Sequence, residues 1–368
     1  ILSIVVYLAM IVFSLTRIWK KDIFAYAILF YIFTFSISSN LIFNIGTFMN
    51  ERFMFAPLLG FIIVISYLIH KYLNKQNTLL AARIILIALV SLYSAKTFSR
   101  NFAWQDSYTL FTTDVETSVN SAKVNVGAGE VLLKSVNEKT PDPVRKKIYE
   151  KAISYLSKGV EIYPGFISGW VYLGYGQLLQ KDYKNSRSSL EEVLKLEKTN
   201  TDAINYLNNG ALECFRTGDY QQSEENFKTL VKYVPDNTEY VYLLADLYAN
   251  TNRTDTAVQM LRDIISTRPG YSKAYNKLGE IYGRILHDFG QSLIYLNKAY
   301  ELNPVDLETL RNLGTLFGMQ GKFQESLKYL LEAEKVKPND KDILNKLSIT
   351  YRNLGNNAMA ESYAARAK

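Results

Sequence analysis

The 368-residue chain is poor in the residues that most often carry chemistry. Cys214 is its only cysteine, which excludes an intrachain disulfide. Its two histidines, His70 and His287, stand alone, with no Cys/His spacing of a zinc site, and no metal is expected. The same scarcity leaves no Ser-His-Asp signal. There is no P-loop and no dinucleotide-type glycine turn. Acid is scarce where the chain is most apolar. Residues 1–100 hold Asp22 and Glu51, two of the 35 acidic residues, but nine of the 42 basic ones. The 33 basic and 33 acidic residues that remain balance each other. The pI near 9.0 therefore belongs to the first hundred residues. The balanced remainder lacks the basic character that a nucleic-acid face requires, so no nucleic-acid partner is expected.

What the first hundred residues do have is long apolar runs, at about 1–19, 23–43, 53–69 and 79–98. Their lengths predict four transmembrane helices. The connections after the first and third runs carry Lys20, Lys21, His70, Lys71 and Lys75, and basic loops face the cytoplasm. The 44–52 loop and everything after residue 98 are then expected outside. This predicts a multi-pass protein of the bilayer, in a bacterial inner membrane, with an extracytoplasmic C-terminal half. The chain opens on Ile1 inside an apolar run and reads as the C-terminal part of something longer.

From residue 119 the sequence repeats at a step of about 34. Prolines recur at Pro164, Pro235, Pro269, Pro304 and Pro338, with Lys198 once in the same place. One small-residue column runs Gly127, Gly174, Ala211, Ala245, Gly279, Gly314, Ser348; a second runs Ala152, Ser186, Ser223, Ala257, Ser292, Ser326, Ala360. A large apolar column holds Leu156, Leu190, Phe227, Leu261, Leu296 and Leu330. Small residues let two helices of a unit approach, large ones fill the space between units, and proline marks the helix exit. W-V-Y-L-G (Trp170 to Gly174) and A-Y-E-L-N-P ending at Pro304 resemble the tetratricopeptide (TPR) repeat. The expected fold is all-α: four spans at 1–100, an amphipathic bridge helix at 101–118, and a TPR α-solenoid at 119–368. The array counts six units over 119–338 and a seventh from 339 cut short by Lys368. The first unit carries an insertion around Pro141 and Pro143 that reads as a protruding loop.

A TPR array binds extended peptides along the groove lined by its first helices. The repeat frame puts Asn208, Tyr242, Asn276, Arg311 and Asn345 in one groove-facing column, with Glu280, Arg284 and Arg352 close by. Asparagine amides can hydrogen-bond a peptide backbone without reading its side chains. In the 44–52 loop the ionisable residues are Glu51 and Arg52. A guanidinium donates two parallel hydrogen bonds to a phosphate, and Glu51 could orient it.

N-E-R-F-M-F-A-P-L-L-G-F, S-R-N-F-A-W-Q-D-S-Y-T-L-F and S-A-K-V-N-V-G resemble, in order, segments of the transmembrane and TPR-containing O-mannosyltransferases and their bacterial relatives. Phe55 and Leu58 depart from that family's Tyr and Ser. The resemblance implies a GT-C type membrane glycosyltransferase that takes a sugar from a polyprenyl-phosphate carrier to a protein hydroxyl. It assigns Arg52 and Glu51 to the carrier phosphate and the array to the acceptor. It places the catalytic acid in an outer loop upstream of these residues, so no catalytic residue is named. The alternative is a non-catalytic TPR scaffold for protein–protein interaction in the envelope. A polymer ligase is a weaker third, because the short loop lacks a histidine.

Overall fold

The computed structural model describes residues 2–38, 55–72 and 76–368; Glu51 and Arg52 lie outside them. The chain divides into two units, Ile1–Gln105 and Asp106–Lys368. Each is described by itself.

In the first unit, α1 (Leu2–Arg17) closes in a single 3-10 turn, Ile18–Lys20, with Lys21 left-handed at φ 54°. Asp22 then accepts a hydrogen bond from the Phe24 amide and starts α2 (Ile23–Ser38). Further helices are α3 (Phe55–Tyr72) and α4 (Gln76–Asn101). α2 and α3 meet at Gly60, where a Cβ would lie 2.6 Å from the Ala27 carbonyl.

These helices correct the expectation of four transmembrane spans. Among the described residues no helix is long and apolar enough to cross a membrane. α3 carries His70 and Lys71 in its last turn, and α4 carries Arg83, Lys96 and Arg100 along its length. The placement of the repeats outside a bilayer rested on those spans and loses that support.

The stretch expected as one bridge helix is divided. α4 runs to Asn101, a 3-10 turn follows at Phe102–Trp104, and α5 (Ser107–Thr117) starts afresh under the Asp106 cap. Phe111 of α5 does not face outward. Its ring occupies the space a Cβ on Gly127 would take.

The second unit continues as seven helix pairs. They are α6 (Ala122–Ser135) with α7 (Asp142–Ile162), α8 (Ile167–Leu179) with α9 (Tyr183–Leu196), and α10 (Thr201–Thr217) with α11 (Tyr220–Tyr233). Next come α12 (Thr238–Asn250) with α13 (Thr254–Thr267) and α14 (Ser272–Glu280) with α15 (Phe289–Leu302). The last are α16 (Leu307–Met319) with α17 (Phe323–Val336) and α18 (Lys341–Asn353) with α19 (Asn357–Arg366). Side chains of Ser121, Asp182, Asn200, Asp219, Asp306 and Asp340 cap helix starts, each taking an otherwise orphaned amide. The insertion in the first pair is mostly helix: Pro143 sits in the first turn of α7, where proline lacks no needed N–H.

Within a pair, the two small-residue columns face each other. Ser186, Ser223, Ser292 and Ser326 donate to the carbonyls of Gly174, Ala211, Gly279 and Gly314 at 2.7–2.9 Å. Ser348 donates the opposite way, to Ala360. A Cβ on Gly174 or Gly314 would lie 2.6 Å from Leu190 or Leu330 Cγ. In the first pair that place belongs to Gly129, which abuts Leu156; Gly127 takes Phe111 instead. The large apolar column is fully buried throughout.

Between pairs a different contact recurs. The hydroxyls of Tyr172, Tyr233, Tyr248, Tyr271, Tyr300 and Tyr363 donate to Glu130, Glu191, Glu224, Glu239, Glu332 and Glu334 of a neighbouring pair. In four of these a cation pairs with the same carboxylate and sits over the same ring: Lys134, Lys232, Arg253 and Arg366.

Candidate functional site

First helices of neighbouring pairs touch, α6 with α8, α8 with α10, α14 with α16 and α16 with α18. Their open faces form the surface to which the sequence assigned a peptide. At its C-terminal end lies a cavity of about 280 Å³ lined by Glu280, Arg284, Arg311, Asn312, Asp342 and Lys346, among others. It brings together three of the expected groove residues, Glu280, Arg284 and Arg311.

The geometry of this cavity depends on a break in the repeat. From Gly279 to Ser292 is 13 residues, where the corresponding pairs in the other units are 12 apart. The extra residue is absorbed as a π turn, Ile281–Ile285, continuing α14. Such turns keep the helix going while re-aiming side chains. Arg284 sits on this turn, largely exposed, 3.0 Å from Glu280. Two residues past the turn, His287 is left-handed at φ 55°.

Charges alternate around the cavity. Glu280 also binds Lys277 at 2.6 Å, and Lys277 reaches Asp246 at 3.0 Å. Lys277 is half-buried, its side chain 13% exposed. Burial opposes its charge, but Asp246 and Glu280 outweigh it and hold the ammonium above its ordinary range. On the opposite wall Arg311 Nε lies 3.8 Å from Asp342, which Lys346 also binds. Arg284, Arg311 and Lys346 thus line the cavity against Glu280 and Asp342, one positive charge in excess. Arg311 is held loosely.

The other expected groove residues are placed differently. Tyr242 is buried, edge-on to Tyr271 at 5.9 Å. Burial first, then Asp246 and Glu308, suppresses ionisation of its hydroxyl. Asn276 is buried too, its Oδ1 accepting from Asn312 Nδ2 at 3.0 Å. Neither of these two lines the cavity. Asn208 is half-buried, and its Oδ1 is sealed from solvent without a partner among the described residues. Asn345 and Arg352 are exposed and do not line the cavity.

Sequence reasoning missed Asp246, Lys277, Asn312, Asp342 and Lys346. The signal was there: Asp246 stands one repeat before Glu280, and Lys277, Asn312 and Lys346 follow one another at the repeat step. Among the described residues no group of acidic, histidine or cysteine side chains could hold a metal ion. Cys214 is buried, and burial pushes its thiol up to about 12, so it is inert as a nucleophile.

Models of the tetratricopeptide repeat match residues 215–281 and 272–306. The chain is 26% identical over 281 residues to the protein O-mannosyl-transferase TMTC3 of Mus musculus, covering 76% of this chain and 27% of that protein. It is 28% identical over 160 residues to TMTC1 of Homo sapiens, covering 43% of this chain and 17% of the other. It is 25% identical over 190 residues to the PEX5-related protein of Homo sapiens, covering 52% and 26%. The chain therefore spans about a quarter of the length of TMTC3. It is a tetratricopeptide-repeat protein related to the protein O-mannosyl-transferases TMTC3 and TMTC1.

Proposed function

We propose that this chain serves protein O-mannosylation, its array holding an extended segment of the acceptor while a mannosyl group is delivered from a polyprenyl-phosphate carrier. One observation carries the acceptor role: Glu280, Arg284 and Arg311 converge on one cavity of the first-helix face. Paired charges of both signs around an open cavity can exchange their partners for those of a bound peptide. The named activity of the relatives supplies the reaction. An acceptor hydroxyl oxygen forms the new bond to the anomeric carbon as the bond from that carbon to the carrier phosphate breaks. The hydroxyl proton passes to a base that no residue here is assigned to. Arg52, oriented by Glu51, would grip the carrier phosphate through paired N–H donors.

The test is transfer of labelled mannose from polyprenyl-phosphate mannose to protein, with Arg52→Ala and Arg311→Ala alongside. Arg52→Ala is expected to raise the donor requirement, and Arg311→Ala the acceptor requirement. Wild-type transfer by Arg52→Ala removes it from the mechanism; absence of transfer by the unmodified full-length protein sinks the catalytic part.

The second reading is a non-catalytic scaffold that uses the same groove. The tetratricopeptide-repeat matches at residues 215–281 and 272–306, a repeat type that generally binds protein partners, favour it. Peptide capture that depends on Arg311 without any mannosyl transfer would select this reading.

A further inference from the structure

A second cavity, of about 510 Å³, lies at the other end of the first-helix face, between α6, α8 and α10. Its chemistry differs from that of the charged cavity. The floor is apolar, with Leu133, Ile167 and Val171, and the walls are Tyr172, Tyr175 and Tyr206. The Tyr172 hydroxyl is committed to Glu130 at 2.8 Å, and Lys134 is neutralised by the same carboxylate at 2.6 Å. Tyr175 and Tyr206 stack at 4.7 Å between centroids, and neither hydroxyl has a hydrogen-bond partner among the described residues. Asp202 also lines the cavity, exposed and without a cation partner among the described residues. An open aromatic wall beside a lone carboxylate is what remains once the internal pairs are subtracted.

Spacing narrows the ligand. Asp202 and Tyr206 are four residues apart on α10, so they are neighbours on one helix face, with Cβ atoms roughly 6 Å apart. In an extended chain, residues i and i+2 point the same way, about 6.7 Å apart. An aromatic or aliphatic side chain and a lysine or arginine two positions away would therefore meet the tyrosine wall and Asp202 together. The apolar member stacks on the rings and the floor, and the cation faces the carboxylate and the electron-rich ring faces.

We infer that this tyrosine-lined cavity is an anchor subsite for an extended protein segment carrying an apolar side chain two residues from a basic one. The inference rests on the reading of the first-helix face as a peptide groove, and it adds the chemistry by which a segment is chosen. Asp202 also lies in the first turn of α10, where a carboxylate stabilises a helix whatever it binds. The test must separate the two roles.

The experiment pans a random peptide display library on the full chain, then measures the selected peptides by fluorescence anisotropy. The peptides are expected to share an apolar residue two positions from Lys or Arg. The pair Tyr175→Ala with Tyr206→Ala should weaken them about tenfold, the loss of a central aromatic anchor. Asp202→Lys should invert the charge preference of a repeated selection, which loss of a helix-dipole contact would not do; circular dichroism checks that the variants keep their helices. Enriched peptides that bind all variants within twofold overturn the anchor and leave the groove reading intact. No enriched peptide at all overturns both.

Discussion

Both units of this chain are helical and both bring helices together on small residues, yet they differ in what happens to the large ones. Among the described residues of the first unit the buried side chains are compact, Ser14, Ala25, Ala27, Pro57 and Ala103, while Trp19, Phe33, Leu92 and Tyr93 are mostly exposed. In the second unit the large members of each repeat, Leu156, Leu190, Phe227, Leu261, Leu296 and Leu330, are at most 1% exposed. The first hundred residues are the more apolar, and they bury less. Burial follows register rather than composition: a large residue is enclosed when the same column in the next helix offers a small one. An exposed apolar surface as wide as that of the first unit marks contact with something else.

The largest effect that would break this comparison is a core truncation. Phe227→Ala should destabilise the second unit by about 3–5 kcal/mol, because the ring fills space that neighbouring helices cannot collapse into. Leu92→Ala in α4 should stay within about 0.5 kcal/mol, since its side chain is already exposed. Urea unfolding of each variant measures the difference. Equal losses would mean that the first unit holds a core of its own.

A finer test concerns the close approaches. Gly129→Ala pushes a methyl into Leu156, a fully buried side chain, and should cost about 1–3 kcal/mol. Gly127→Ala pushes instead into the Phe111 ring, so its cost should fall on α5. Hydrogen exchange distinguishes them: protection lost from α5 alone for Gly127→Ala, and from α6 and α7 for Gly129→Ala. The reverse pattern would restore Gly127 to the column.

Those two glycines show how far the sequence could be read. The repeat step placed the paired helices, the buried leucine column and the serine column, because each repeats the same packing problem. It could not choose between glycines two apart in an irregular first unit. The 35 residues from Ala257 to Ser292 fall within the ordinary repeat step, so spacing did not single out the extra residue that the π turn absorbs. Glu280, Arg284 and Arg311 were found because they follow the frame. Tyr242 and Asn276 follow it too, but Tyr271 and Asn312 cover them, and that depends on the neighbouring unit. In the first unit, run length stood in for helix length. The break at Ile18–Lys20 and the charges on α4 are where the two part.

The smallest expected effect separates the units by acid. Three of the carboxyls that accept from tyrosine between repeats, Glu191, Glu224 and Glu239, are held below their ordinary range. The Arg253 hydrogen bond holds Glu224 down to about 2 against the opposing effect of burial, with Lys228 adding to it; the Lys232 hydrogen bond lowers Glu191 as well. A carboxyl with a depressed folded pKa contributes stability above its unfolded value, about 4.3 for glutamate, and loses it as pH falls through the folded value. The second unit should therefore lose thermal stability between roughly pH 4 and pH 2. Glu224→Gln should flatten part of that slope, at a cost near neutrality of about 1 kcal/mol or less, since water screens the pair. The first unit has Asp22 as its one acidic group among the described residues. Its α-helical signal should change little over the same range. A pH profile of Glu224→Gln that parallels the unmodified chain would show that the clasp holds tyrosine by packing, with its ion pair contributing nothing measurable.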